Sequence, residues 1–254
     1  MTIKTRFAPS PTGWLHIGGV RTALYSWLYA RKNDGMFYLR IDDTDTTRST
    51  DEYRNSIISA LDQLGLKHDD EIIYQSKRFD HYINKIEELI VNDMAYYDKV
   101  EVNEKTKETD LSIQYDNRLN REGYVIRFKN QKEKSIVIND SVHGEVVFDP
   151  KNFFDVVILR SNGVPTYNIT SVIDDIDLGI THLIRGDDHL SNLPVQVNIF
   201  KSFKAKVPSF SHLPMIHGAD GKRLSKRHGA VDINYFLNQG YRVDAIINYL
   251  AKTG

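Results

Sequence analysis

Four separated stretches of this chain carry side chains suited to chemistry. In PSPTGWLHIGG, Pro9–Gly19, a histidine and two glycines stand just ahead of an apolar-periodic run. Glycines let a backbone approach a ligand closely, and a helix N-terminus offers unpaired N–H donors, so this is a phosphate-site arrangement. His16 could hydrogen-bond a phosphoryl oxygen whose charge grows in a transition state. A capped helix with a structural His16 fits the same pattern, and the bare motif leaves both open. In RIDDTDTTRS, Arg40–Ser49, three carboxylates occupy four positions at the end of a strand-like run, where α/β sheets place ligands. They could hold Mg²⁺ or an ammonium group, or form an Asx-rich loop capping the next helix.

The third stretch is GVPTYNITSVIDDIDLGITHLIRGDDH, Gly163–His189. Arg185 follows the apolar run HLI, so a strand end could bring it into a pocket, and an arginine there suits a carboxylate. His189 near several acids invites a metal reading, but no spacing matches a metal motif. The fourth is GKRLSKRHG, Gly221–Gly229, a basic loop that could meet a triphosphate or be a plain surface turn. G-x-G-x-x-G, the Walker A pattern and G-x-S-x-G are absent, and with no cysteine there is no thiol nucleophile, thiolate zinc site or disulfide.

Periodicity supplies the elements that must position these groups. Lys4–Ala8 reads as a strand, Gly18–Asn33 as a helix and Met36–Ile41 as a strand, which together predict a βαβ unit. Thr50–Leu64 and Phe79–Asn92 read as amphipathic helices. Strands are expected at Tyr124–Phe128, Ser135–Asn139, Glu145–Phe148 and Val156–Leu159, a β-rich block after the polar segment 101–110. The α/β rhythm then returns, with helices at Tyr167–Ile173, Leu193–Phe203, Val231–Asn238 and Val243–Leu250. Strands are expected at His182–Ile184 and Phe210–Met215. The pattern is an α/β nucleotide-binding domain split by an insertion.

Bulk properties are those of a globular protein: 254 residues, 41% apolar, 26% charged, formal net charge −1. That balance does not announce a nucleic-acid partner. Between Lys201 and His228, however, seven Lys/Arg residues face a single acid, Asp220. Such a patch could hold phosphates, or be a solvated face. No leader-like apolar stretch opens the chain, and no run approaches 18 apolar residues, so neither a signal peptide nor a membrane span is expected.

With these residues in view, the chain resembles the bacterial-type glutamyl-tRNA synthetases of the class I synthetase superfamily. Four signatures recur in order over about Thr5–Gly254: PSPTGWLHIGG, RIDDTD, PTYNITSVIDD with HLIRGDDH, and RLSKR at Arg223–Arg227. The resemblance implies a Rossmann-like catalytic domain with a parallel sheet, in two halves at 1–95 and 166–216. An acceptor-end-binding α+β insertion would occupy 96–165. A KMSKS-type loop and the start of a stem-contact region would occupy 217–254. It implies catalytic roles for His16 and Lys226. ATP would lie against Thr12, His16, Gly18, Asp188, Arg223 and Lys226. Glutamate would lie against Arg6, Ser10, Asp42, Tyr167 and Arg185, with Arg185 on its side-chain carboxylate. The implied reaction is glutamate activation by ATP with Mg²⁺, followed by transfer to the terminal adenosine of tRNA(Glu). tRNA(Gln) is a second candidate acceptor, and a cytoplasmic monomer is expected.

Some positions depart from the family pattern. Asp42 stands where the family usually has glutamate, and Asp187 where it usually has glutamate in Gly-Glu-Asp-His; both keep charge and shorten reach by one methylene. Arg223 stands where lysine is common. Met94–Tyr96 is followed by YDKV without cysteine, so zinc is not carried over, and strand pairing with an apolar mini-core is expected to hold the insertion. The resemblance also implies two C-terminal modules, one contacting the tRNA stem and one reading the anticodon, of which this sequence is expected to enter only the first. Alternative readings are a short relative that glutamylates a modified tRNA base, the same fold with a related amino acid, and a non-catalytic tRNA-binding remnant.

Overall fold

The computed structural model describes residues 2–100, 115, 117–217 and 232–253. Strand β1 (Lys4–Phe7) leads through the Pro9–Leu15 loop into helix α1 (Ile17–Lys32), which returns the chain to β2 (Met36–Ile41). β1 and β2 are parallel, with Lys4 opposite Met36 and Phe7 opposite Leu39, so the expected βαβ unit is formed. Helix α1 buries Val20, Ala23 and Leu24 against the strands, and ends on Arg31 and Lys32, cations that suit a C-terminal dipole. Helix α2 (Asp51–Gln63) starts from Thr50, whose Oγ1 accepts the Tyr53 N–H at 3.2 Å. A two-residue strand β3 (Ile73–Tyr74), not foreseen in the sequence, pairs parallel with β2.

Helix α3 (Phe79–Val91) is followed by β4 (Ala95–Lys99), β5 (Tyr124–Phe128), the hairpin of β6 (Ile136–Asp140) and β7 (Gly144–Phe148), and β8 (Val156–Leu159). β4, β5 and β8 form an antiparallel sheet. The third helix-strand set is α4 (Tyr167–Asp177), β9 (His182–Gly186), α5 (Leu193–Ser202) and β10 (Ser209–Leu213), with β9 and β10 parallel. Two short helices follow, α6 (Ile233–Asn238) and α7 (Val243–Ala251). The two parallel sets meet where the Thr181 N–H donates to the Lys4 carbonyl at 3.0 Å and the Lys4 N–H donates to Thr181 Oγ1 at 2.8 Å.

Among the described residues, the middle block is not held by a core of its own. β6 lies parallel beside β10, giving the order β7-β6-β10-β9, so its hairpin extends the sheet that carries Arg185. Ile136 and Phe153 from the block pack with Leu183, Leu193, Val197 and Phe210. Phe128 and Ile158 pack with Tyr82 and Ile86 of α3 and with Val172 and Phe200. Burying each such side chain contributes about 1.5–3 kcal/mol, so the block and the α/β frame stabilise one another. A further core under β1 and β2 joins Leu24, Leu39 and Ile57 to Ile233, Ile246 and Leu250 of α6 and α7. Among the described residues no helix is long and apolar enough to cross a membrane.

Candidate active site

A cleft of about 510 Å³ opens at the carboxyl ends of β1, β2 and β9. All nine expected site residues that fall among the described ones line it: Arg6, Ser10, Thr12, His16, Gly18, Asp42, Tyr167, Arg185 and Asp188. Arg223, Lys226 and the GKRLSKRHG stretch lie outside the described residues.

On one wall, His16 is the N-cap of α1, and its Nδ1 accepts the Gly19 N–H at 3.0 Å. The capping and ligand readings of this histidine are therefore compatible. A neutral ring accepting at Nδ1 carries its proton at Nε2, which makes Nε2 a donor suited to an anionic oxygen. Gly18 is needed for closeness: a Cβ there would sit 3.1 Å from His16 Nδ1 and 3.3 Å from Cε1.

The floor is a buried charge network. Arg40, fully buried, donates to both oxygens of Asp42 (Nε to Oδ1 at 2.6 Å, Nη2 to Oδ2 at 3.0 Å) and from Nη1 to Asp175 at 2.9 Å. Arg6 donates to Asp175 through Nε at 3.1 Å and Nη2 at 3.3 Å. Asp174 accepts from Gln75 at 2.8 Å, from Arg78 at 2.9 Å and from the Tyr82 hydroxyl at 2.9 Å. Burial pushes the Asp42 carboxyl up to about 6, against the opposing pull of Arg40. The three carboxylates of RIDDTD do not converge on one cation. Asp43 instead accepts from Ser76 and Arg54, and Asp45 from Thr47 and Arg48.

On the facing wall Arg185 is buried near the end of β9. Its Nε donates to His212 Nε2 at 3.0 Å, and its Nη1 donates to Gln196 Oε1 at 2.7 Å and to the Tyr167 hydroxyl at 3.4 Å. Among the described residues its Nη2, which is buried, has no hydrogen-bond partner. An orphaned guanidinium nitrogen in a dry wall costs stability and is what an incoming carboxylate satisfies. The Tyr167 hydroxyl also lies 3.1 Å from His189 Nδ1. Burial, followed by the Arg185 charge, depresses His189 to about 4, so its ring is neutral near pH 7.

Sequence reasoning did not single out Asp140, Gln75, Gln196 or His212, and read Asp174 and Asp175 as part of an acid-rich stretch. These six residues reach the site from five different segments. Only the apolar spacing around Asp174 and Asp175 carried a signal, since Ile169, Val172, Ile173 and Ile176 continue helix α4 through both acids.

The chain matches known proteins across nearly its whole length. The model of the tRNA synthetases class I (E and Q), catalytic domain, matches residues 2–254. The chain belongs to this family. The glutamate–tRNA ligase of Francisella tularensis subsp. novicida (strain U112) is 48% identical over 266 aligned positions, which cover 99% of this chain and 57% of that protein. Glutamate–tRNA ligase 1 of Alkalilimnicola ehrlichii is also 48% identical, with 56% of it covered. The chain thus spans a little over half the length of these curated relatives. Among solved structures, a glutamate tRNA ligase from Elizabethkingia meningosepticum CCUG26117, in complex with its amino acid, superposes with a TM-score of 0.85 at 31% identity; the match covers 100% of this chain and 61% of that one. Mycobacterium tuberculosis methionyl-tRNA synthetase bound by methionyl-adenylate, at 10% identity and a TM-score of 0.66, shares the fold.

Proposed function

We propose that this chain is the catalytic part of a glutamate–tRNA ligase. It activates L-glutamate with ATP to glutamyl-adenylate and pyrophosphate, then passes the glutamyl group to the 3′-terminal adenosine of tRNA(Glu). The observation that carries this reading is Arg185: a buried cation, anchored on two edges, with Nη2 unpartnered in the wall of the cleft. The side-chain carboxylate of glutamate supplies what that nitrogen lacks. Family membership and the glutamate–tRNA ligases at 48% identity support the choice of amino acid.

In this reading Asp42 meets the substrate ammonium, with Arg6, Ser10 and Tyr167 shaping the rest of the amino-acid pocket. The α-carboxylate attacks the α-phosphate of ATP in line, and the protein's contribution is position and charge stabilisation. His16 Nε2, Thr12 and the backbone at Gly18 face the nucleotide, with Asp188 at its edge and Arg223 and Lys226 over the phosphates. Mg²⁺ supplies charge neutralisation on the phosphates. Among the described residues no group of three His, Asp or Glu gathers to cage a metal, so the phosphate oxygens and water would furnish most of its ligands. Residues 1–95 and 166–216 form the catalytic domain, 96–165 the acceptor-end insertion without zinc, and 217–254 the phosphate loop and the start of the stem-contact region. tRNA(Gln) is a second acceptor to test; the protein is read as a cytoplasmic monomer.

Arg185→Ala tests the reading. Breaking a buried charge pair costs roughly 3–5 kcal/mol. The variant should therefore lose about 100-fold or more in glutamate affinity, measured by equilibrium dialysis with labelled L-glutamate, and keep ATP affinity within about twofold. Loss of ATP binding with glutamate affinity intact would make Arg185 a phosphate ligand and end the assignment.

A further inference from the structure

Arg185 is held by a chain of buried groups that reaches into the middle block of the protein. Asp140 closes strand β6, and its Oδ1 accepts the backbone N–H of Val142 at 2.9 Å and of His143 at 3.1 Å. Its Oδ2 lies 2.6 Å from His212 Nδ1, and both oxygens accept the His212 backbone N–H, at 3.2 and 3.1 Å. His212 sits on β10, fully buried, and its Nε2 accepts Arg185 Nε–H at 3.0 Å. The register of β10 explains the meeting: His212 is paired with Arg185 of β9 on one side, and its neighbour Phe210 is paired with Asp140 of β6 on the other.

The geometry points to Asp140 and His212 as positioning residues that select the proton arrangement in which Arg185 presents Nη2 to the substrate carboxylate; this deepens, and rests on, the assignment of Arg185 to glutamate. An ionised carboxylate accepts only, so the proton between Asp140 and His212 must sit on His212 Nδ1. A neutral ring then has its lone pair at Nε2, which is what the Arg185 Nε–H requires. Burial, and next the Arg185 charge, hold the His212 ring below the ordinary imidazole range, against the pull of Asp140, so the ring stays neutral. Burial alone would raise Asp140, but the hydrogen bonds from His212, Val142 and His143 bring it below the ordinary carboxylate range, so it stays charged. With Nε tied to His212 and one Nη1 hydrogen tied to Gln196 Oε1, the guanidinium plane is fixed. What remains for a ligand is Nη2, with the Nη1 hydrogen now on Tyr167 at 3.4 Å. Gln196 is itself oriented, because its Nε2 donates to Asn168 Oδ1 at 3.3 Å.

The expected side-on approach of a carboxylate to Nε and Nη2 is therefore already taken on the Nε side by His212, and the substrate meets the end of the guanidinium. The hairpin β6–β7 thereby acts on amino-acid recognition without touching the amino acid. A reversed ring tautomer would set Nε2–H against Nε–H, two donors facing each other in a dry site, and Arg185 would turn away.

Asp140→Asn tests this with almost no change of shape. The amide oxygen can keep the Val142 and His143 N–H groups, while the amide NH₂ takes the place of Oδ2 and donates to His212 Nδ1. The proton on the ring must then move to Nε2. The expected result is a loss of about 10- to 100-fold in L-glutamate affinity, the scale of a buried donor left unmatched, with ATP affinity unchanged. Long-range ¹H–¹⁵N spectra of the histidine rings should show His212 as the Nδ1–H form in the parent and the Nε2–H form in the variant. His212→Gln removes the tautomer and still places an amide oxygen near Arg185 Nε. On that background Asp140→Asn should cost less than about twofold. If Asp140→Asn weakens glutamate equally on both backgrounds, Asp140 serves the hairpin alone and the proposal fails. It fails equally if Asp140→Asn leaves glutamate affinity intact while Arg185→Ala abolishes it. Should Arg185→Ala itself leave glutamate affinity intact, the parent assignment is the one that falls.

Discussion

At the scale of single residues, Asp42 shows what burial does to a carboxyl even when an arginine grips it. Arg40 grips both of its oxygens, and the pair is sealed at the bottom of the cleft. The carboxyl nevertheless sits at about 6, because desolvation outweighs the attraction of Arg40 and Asp174 adds like-charge repulsion. Only the ionised form attracts an ammonium. Glutamate affinity should therefore be flat above pH 7 and fall below about pH 6, approaching tenfold per unit. Asp42→Asn should have weak affinity throughout and lose that limb of the profile. Equilibrium dialysis with labelled glutamate between pH 5 and 8 checks both. A parent profile flat to pH 5 would mean that Asp42 does not meet the ammonium.

At the scale of elements, most of the frame was legible in the sequence, because strand and helix periods and turn residues are local signals. β2, β5 and β8 have the bounds their apolar runs predict, α1 and α2 differ from prediction by one residue at each end, and α3 and α5 by one residue at the C-terminal end alone. The helix expected over Tyr167–Ile173 is shorter than the observed α4. Helix α4 continues to Asp177 because Asp174 and Asp175 turn inward to Arg40, Arg78 and Arg6. The pairing of β6 with β10 joins residues about seventy positions apart, and no local pattern reports it. The same holds for the Asp140–His212–Arg185 chain, in contrast to the cleft-lining residues that the signatures marked directly. What sets α4 at the right height is the turn before it. Gly163 has φ +79°, and a Cβ there would lie 2.0 Å from the Tyr115 carbonyl oxygen and 2.8 Å from the Asn117 and Asn120 amides. Both the backbone conformation and the space exclude a side chain. Gly163→Ala should lower the unfolding free energy by about 2 kcal/mol or more, read as a drop in the urea midpoint. It should also disturb Tyr167, which begins α4 four residues on. A midpoint unchanged within error would mean that the segment around Tyr115 yields without cost.

At the scale of the whole molecule, the cleft holds two displaced titrations that act on stability with opposite sign. Asp42 moves from an ordinary carboxyl value of 3.8 up to about 6 on folding. Between those pH values the native chain holds a proton there that the unfolded chain has lost. Its contribution is fully present below 3.8 and is lost as pH rises through about 6, with a slope of about −1.4 kcal/mol per pH unit inside that window. His189 moves from 6.5 down to about 4, because burial and the Arg185 charge disfavour the imidazolium. Between about 4 and 6.5 the unfolded chain holds the extra proton, so stability rises with pH by about the same slope. The two nearly cancel from about pH 4 to 6. His182 and His212, also depressed chiefly by burial, add to the rising side, and Asp174, raised by burial, adds to the falling side. The parent's slope across this window is the sum of these opposed contributions, and each variant is read against it. Asp42→Asn removes a falling contribution and should raise the slope by about 1.4 kcal/mol per unit relative to the parent from pH 4.5 to 6. His189→Gln removes a rising one and should lower the slope by about the same amount over that range. Urea unfolding followed by tryptophan fluorescence at half-unit steps of pH measures all three. If both variants kept the parent's slope, neither group would change its proton affinity on folding. The depressed histidine and the raised carboxyl would then have to be abandoned as a description of the cleft.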